Sequence, residues 1–303
     1  MSTPHTHPCY GHDDPWDVGM AADAPLMARR LPRRRALGMF FGAGAAAVLA
    51  ACRSDKSTSS TSSTSSTSSN AGSSAASTSA STAAPSSSAA ASPAAATGNL
   101  AQTPEETSGP YPGDGSNGPN VLADSAVVRQ DITTSFGRYS GTARGVSTRV
   151  TMTIRDASSG NPISGAAVYL WHCTKDGKYS LYTDKDQNYL RGVQSADGSG
   201  TVTFDTIFPG CYSGRWPHIH FEVYPNVDNA LAAKGALLTS QIAIPEAACK
   251  LAYAADGYSA SVSNLSRVTL ASDNVFRDGW DQELGTATGS VADGFTIHLD
   301  VNV

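Results

Sequence analysis

Pro209-Gly210-Cys211-Tyr212-Ser213-Gly214-Arg215-Trp216-Pro217-His218-Ile219-His220-Phe221-Glu222-Val223-Tyr224 joins a turn to a strand. As far as Pro217, proline and glycine punctuate the run, which marks a loop. From His218 the pattern alternates strictly. His218, His220, Glu222 and Tyr224 fall on one face, and Ile219, Phe221 and Val223 on the other, as a strand laid on a core requires. Residues two apart on a strand share a face, so both imidazoles point the same way. That is a metal-ligand arrangement, although a pair of surface histidines on a half-exposed strand gives the same letters. Glu222 shares the face and reads as a solvated strand residue.

The neighbouring segments have the same β character. Val150–Ile154 and Thr201–Phe204 alternate, Ala167–Trp171 is a short run of strand formers, and Phe295, Ile297, Leu299 and Val301 mark a last strand. Gly, Pro, Asn and Ser fill the turn from Asp156 to Gly165. Helical signals are few: Asp228–Lys234, and a segment opening at Pro245, where proline suits a first helical turn. Many short strands with frequent turns predict one mostly-β domain, a β-sandwich with few short helices, over residues 101–303.

Two segments precede it in the 303-residue chain. Residues 1–51 read as an export signal. Arg29-Arg30 and Arg33-Arg34-Arg35 lead into an apolar run from Ala36 to Ala51. At about 1.5 Å per residue that run falls short of a ~30 Å bilayer core, so it fits a signal better than a span. The run ends Leu49-Ala50-Ala51-Cys52, which resembles a lipobox with Cys52 as the lipidated residue, and the arginines resemble a twin-arginine signal. The expectation is export and lipid anchoring on the outer face of a bacterial cell membrane. Residues 52–100 are Ser, Thr and Ala with little else, a composition that predicts a disordered tether spanning roughly 40 Å.

The formal net charge is −5, and removing residues 1–51 takes away five arginines against four aspartates. A mildly acidic body without clustered Lys and Arg excludes nucleic acid as a partner. Contact with the membrane is expected only through Cys52.

Chemistry concentrates near the histidine pair. Tyr212 sits in a loop that can fold back over the strand start. Tyr179 follows a turn at Asp176-Gly177. Two phenolates with two neutral imidazoles suit Fe(III), because hard anionic oxygens favour the ferric state; zinc more usually takes Cys, Asp or Glu. The other histidines of the domain, His172 and His298, and the indole of Trp171 read as packing residues. Cys173, Cys211 and Cys249 allow at most one disulfide within the domain.

Pro209-Gly210-Cys211-Tyr212 with Gly214-Arg215-Trp216-Pro217-His218-Ile219-His220-Phe221 resembles the iron signature of the intradiol ring-cleavage dioxygenases, which include protocatechuate, catechol and hydroxyquinol dioxygenases. Gly160–Ala166 leading to Trp171, the Asp176–Tyr179 turn and Glu106–Tyr111 resemble further family segments in family order. The resemblance implies one Fe(3+) per chain held by Tyr179, Tyr212, His218 and His220, with Tyr212 as the ligand that substrate displaces. It implies that Arg215 lies against the substrate ring, with Gln241 beside it. It also implies Tyr111 near the substrate mouth, and a small aromatic diol and O2 as substrates; Trp216 reads as a residue lining that mouth. The chain differs from the catechol-specific branch in having a tether where that branch has a helical dimerisation segment, and in Cys211.

Two other classes fit parts of the chain. Gly160 to Tyr179 is similar to a pattern of prealbumin-like sandwich modules, which bind and do no chemistry. A zinc hydrolase could use His218 and His220 but lacks an obvious carboxylate base. The cluster from Arg215 to His220 with its paired tyrosines favours the dioxygenase.

Overall fold

The computed structural model describes residues 99–303; the expected signal, tether and Cys52 lie outside them. Among the described residues, eight strands form two four-stranded sheets. The first has the order β4-β1-β8-β7 and the second β3-β2-β5-β6. In the first sheet β1 (Ser147–Arg155) runs parallel to β8 (Gly294–Asn302) and antiparallel to β4 (Thr201–Ile207). The edge strand β7 (Thr286–Ser290) pairs with β8. In the second sheet β2 (Ala167–Trp171) lies between β3 (Arg191–Ser195) and β5 (His218–Tyr224), and β6 (Leu238–Ala243) closes the edge, all antiparallel. The expected mostly-β sandwich is what forms.

Inward-facing residues interdigitate between the sheets. Val150, Met152 and Ile154 of β1 and Ile297 and Leu299 of β8 meet Val168 and Leu170 of β2 and Ile219, Phe221 and Val223 of β5. The alternation read from the sequence is this packing. Three short helices follow β5 and β6: α1 (Val227–Leu231), α2 (Glu246–Ala252) and α3 (Ser259–Leu265). Pro245 stands at the N-cap of α2, one position before the first helical turn in which its type is favoured.

The second sheet is covered on its outer face as well. Ala167, Tyr169 and Trp171 of β2 and Tyr224 of β5 belong to a second core with Val121, Leu122, Val127 and Tyr179. Every residue of β2 and β5 is therefore buried. This corrects the expectation for Glu222. It is 5% exposed and accepts hydrogen bonds from Tyr224 Oη (2.6 Å) and Thr239 Oγ1 (3.3 Å). Alternation marked the two faces correctly but could not tell a solvated face from one roofed by distant loops.

Candidate metal centre

The register of the second sheet brings one residue from each strand onto a single rung. Arg191 on β3 pairs with Trp171 on β2, Trp171 with His220 on β5, and His220 with Gln241 on β6. His218 stands two residues before His220 on the same face. Both histidines are 2% exposed.

Two loops bring the tyrosines to them. The loop before β5 turns at Gly214 (φ 83°) and carries Tyr212. The turn at Asp176-Gly177 precedes Tyr179, and Gly177 (φ 78°) lies so close that a Cβ there would come within 2.9 Å of Tyr212 Cβ. Only glycine suits both that conformation and that approach.

The four side chains converge. His218 Nε2 lies 3.2 Å from His220 Nε2, 3.3 Å from Tyr212 Oη and 3.5 Å from Tyr179 Oη. These separations match the edges of a coordination sphere with bonds of about 2 Å. His218 Nδ1 lies 2.5 Å from the Trp216 carbonyl, which can only accept, so Nδ1 holds the proton and Nε2 presents a bare lone pair. Two phenols and a second imidazole crowd that one lone pair. A cation among them would satisfy all four donors together, so the residues fit a metal. Among the described residues no group of three or more His, Cys, Asp or Glu could hold a metal ion, so a metal here needs the tyrosines.

Electrostatics favour the same donor set. Burial, then the Arg215 charge, hold His218 well below the usual imidazole range; burial, then His218 and Arg215, do so for His220. Both rings are therefore held in the neutral form, with lone pairs available to a cation. Burial, then Tyr212, push the Tyr179 phenol well above its ordinary range, so its ionisation requires a strong cation nearby.

Arg215 is 1% exposed. It donates from Nε to Asp273 Oδ2 (3.0 Å) and from Nη2 to Gln241 Oε1 (2.7 Å), and Gln241 Nε2 donates to the Thr107 carbonyl (2.9 Å). Arg215 and Gln241 thus meet as the resemblance implies. The ring of Tyr111 lies 5.0 Å from that of Tyr179 and 5.1 Å from that of Tyr182. Trp216 is not at a mouth: it is 4% exposed, packs in the inter-sheet core and donates from Nε1 to the Ile244 carbonyl.

The segment from Thr107 to Gly113 roofs the centre. Gly109 (φ 67°) lies against His220, where a Cβ would meet Cε1 at 3.2 Å. Arg191, 1% exposed, holds this roof. It donates to the carbonyls of Tyr111 (3.0 Å), Pro112 (2.8 Å) and Ser180 (2.9 Å). Arg191 and Asp273 escaped the sequence reading, because an Arg at the start of a weak strand and an Asp in a Ser-Asp-Asn loop carry no local signal.

The other singled-out residues are bystanders. His172 is buried between the Cys173 carbonyl (2.8 Å) and Thr206 Oγ1 (2.7 Å). His298 lies on the first sheet, 3.0 Å from Thr151 Oγ1. Cys173, Cys211 and Cys249 are all free and buried, and burial pushes the Cys173 and Cys211 thiols up to about 12.

A family model described as Dioxygenase matches residues 117–225, which include all four converging donors. A solved intradiol ring-cleavage dioxygenase from Tetranychus urticae is 25% identical, superposes with a TM-score of 0.53, and the alignment covers 67% of this chain and 94% of that one. The chain is similar to the intradiol ring-cleavage dioxygenases over this region. A second solved dioxygenase aligns with a TM-score of 0.54 over the same shares at 25% identity. A chlorocatechol 1,2-dioxygenase from Rhodococcus opacus is 41% identical to this chain over 66 residues, which is 21% of this chain and 25% of that relative. The match thus spans about a quarter of the curated relative's length.

Proposed function

We propose that the chain is an Fe(III)-dependent intradiol dioxygenase. It opens a catechol-type ring between the two hydroxylated carbons with O2 and gives a cis,cis-muconate-type dicarboxylate. The observation that carries this reading is the convergence of Tyr179, Tyr212 and His220 on His218 Nε2 within 3.5 Å. Neutral imidazoles and phenol oxygens are the donors that favour ferric iron over zinc.

The ferric ion supplies Lewis acidity, which lowers the pKa of a bound diol, and a path for electron density from the ring to dioxygen. The protein's own groups do the rest. Tyr179 is fully enclosed and anchors the site; Tyr212 is only half-buried and is the phenol a substrate reaches first. Tyr212 Oη would accept a proton from an incoming hydroxyl. His218 and His220 stay neutral and fixed. Arg215 presents a buried positive charge where the ring becomes electron-rich, which stabilises charge that develops only during reaction. The ring of Tyr111 packs against those of Tyr179 and Tyr182 beside the centre. A prealbumin-like binding module would need none of these groups, and Glu222, engaged by Tyr224 and Thr239, is no free base for a zinc hydrolase.

The body is proposed to act outside the cell, exported along a twin-arginine route, carried by a Ser/Thr/Ala tether and anchored through a lipid on Cys52. Fractionation of cells making the parent and Cys52→Ala tests this. Release of the variant from the membrane supports it, and identical partition into the soluble cytoplasm refutes it. For the chemistry, metal analysis of the purified protein should give about one iron per chain with a broad visible tyrosinate-to-iron band. A colourless zinc protein would remove the dioxygenase reading.

A further inference from the structure

Arg215 is held by a group outside the stretch that the family model matches. Asp273 follows a 3-10 turn, Leu270–Ser272, in the C-terminal part of the chain. It is 0% exposed. Its Oδ1 accepts from the backbone N–H groups of Val275 (2.8 Å) and Phe276 (3.2 Å). Its Oδ2 accepts from Trp216 N–H (2.6 Å) and Arg215 Nε (3.0 Å). The two amides on Oδ1 stop the carboxylate from rotating, so Oδ2 is a fixed point.

We propose that Asp273 is a positioning residue for Arg215: it fixes the plane and direction of the guanidinium over the metal centre. This rests on the dioxygenase reading. A guanidinium is planar, and two anchored edges fix it in space. Asp273 takes the Nε edge and Gln241 the Nη2 corner, itself tied to the Thr107 carbonyl. Removing one partner of a buried pair leaves the other uncompensated and free to turn toward any acceptor. Asp273 also holds the Trp216 peptide, whose carbonyl faces His218 Nδ1, so the same carboxylate underlies the loop that carries both the charge and a metal ligand. A structural staple for the loop would be expected to change stability and metal content; a positioning role changes the rate at each loaded site.

The test uses the iron-loaded full chain and Asp273→Asn, which keeps the size and one carbonyl oxygen. The expected result is parental iron per chain, a KM for the diol changed by less than about threefold, and kcat per iron lower by about tenfold to a hundredfold. Added to Arg215→Gln, Asp273→Asn should lower kcat per iron no further, because its effect runs through Arg215. Unchanged kcat per iron in Asp273→Asn, or a further independent loss in the double variant, overturns the proposal. If Asp273→Asn does not fold, the double variant decides. Folding of the double with the activity of Arg215→Gln supports the role, and failure of the double where Arg215→Gln folds assigns Asp273 to the fold alone. Parental turnover of a diol is measured alongside, so loss of the dioxygenase reading shows as an inactive parent and not as a variant effect.

Discussion

The imidazole of His220 lies flat on the indole of Trp171, with centroids 5.0 Å apart and planes 3° apart. Trp171 stacks in turn on Tyr169 at 4.9 Å. His218 is oriented differently, by the Trp216 carbonyl at Nδ1. His220 Nδ1 has no such partner, nor has Trp171 Nε1. The face of the indole and the close approach of Gly109 therefore set the plane of His220. Trp171→Leu should cost about 3 kcal/mol of stability and weaken iron retention, because the ring loses its support. Trp171→Phe, which keeps a flat face, should lose less of both. Chelator competition and chemical denaturation measure the two effects. A Leu variant that retains iron like the parent would show that the stack does not orient the ligand.

Arg191 ties the roof to the Tyr179 loop through three carbonyls, with no carboxylate among these partners. Arg191→Met should leave those buried acceptors unpaired, at a cost of about 3 kcal/mol. The roof over His220 should open in consequence, so the visible band of the iron-loaded protein should shift as water reaches the centre. Denaturant melts and absorption spectra check this. Loss of stability with an unmoved spectrum would confine Arg191 to the fold.

Buried imidazoles make the metal-free protein less stable in acid. Burial, more than any other cause, lowers His172 to about 4 from an ordinary 6.5, and it also depresses His218 and His220. The unfolded chain binds protons on these rings below about pH 6.5, whereas folded His172 stays neutral until about pH 4. Stability from His172 is therefore full above about pH 6.5 and falls as the pH drops toward 4, by up to ~1.4 kcal/mol per pH unit. Melts of chelator-treated protein at about pH 7.5 and about pH 5 should show the loss, and His172→Gln should reduce it. A melting temperature that rises on acidification across that window would contradict the sign.

The parts of the site that were legible in the sequence are those written in short-range pattern. His218 and His220 follow from alternation in β5, and Tyr179 and Tyr212 from glycine turns. β3 was missed because Gly192 interrupts it, and β6 because Thr239, Ser240 and Gln241 are polar yet half-buried or buried. β7 was missed because an edge strand of mostly exposed small residues has no apolar rhythm. Leu181 and Leu190, at φ 69° and 56°, hold the Tyr179 loop in a conformation that no leucine announces. Asp273 and Arg191 act over long sequence separations, and Trp216 could not be told from a pocket residue without knowing where its indole N–H goes.

The most direct test of the central claim is the fate of isotopically labelled dioxygen. Iron-loaded protein is mixed anaerobically with a catechol, which should shift the visible band as Tyr212 yields its place. Labelled O2 is then admitted and the product is analysed by mass spectrometry. His218→Ala and His220→Ala should have lost iron and colour together, and Tyr212→Phe should keep much of the iron but turn over slowly. The product should be a ring-opened cis,cis-muconate-type dicarboxylate carrying both labelled oxygen atoms. A yellow semialdehyde from cleavage outside the diol, or catechol recovered unchanged from fully iron-loaded protein, would contradict it.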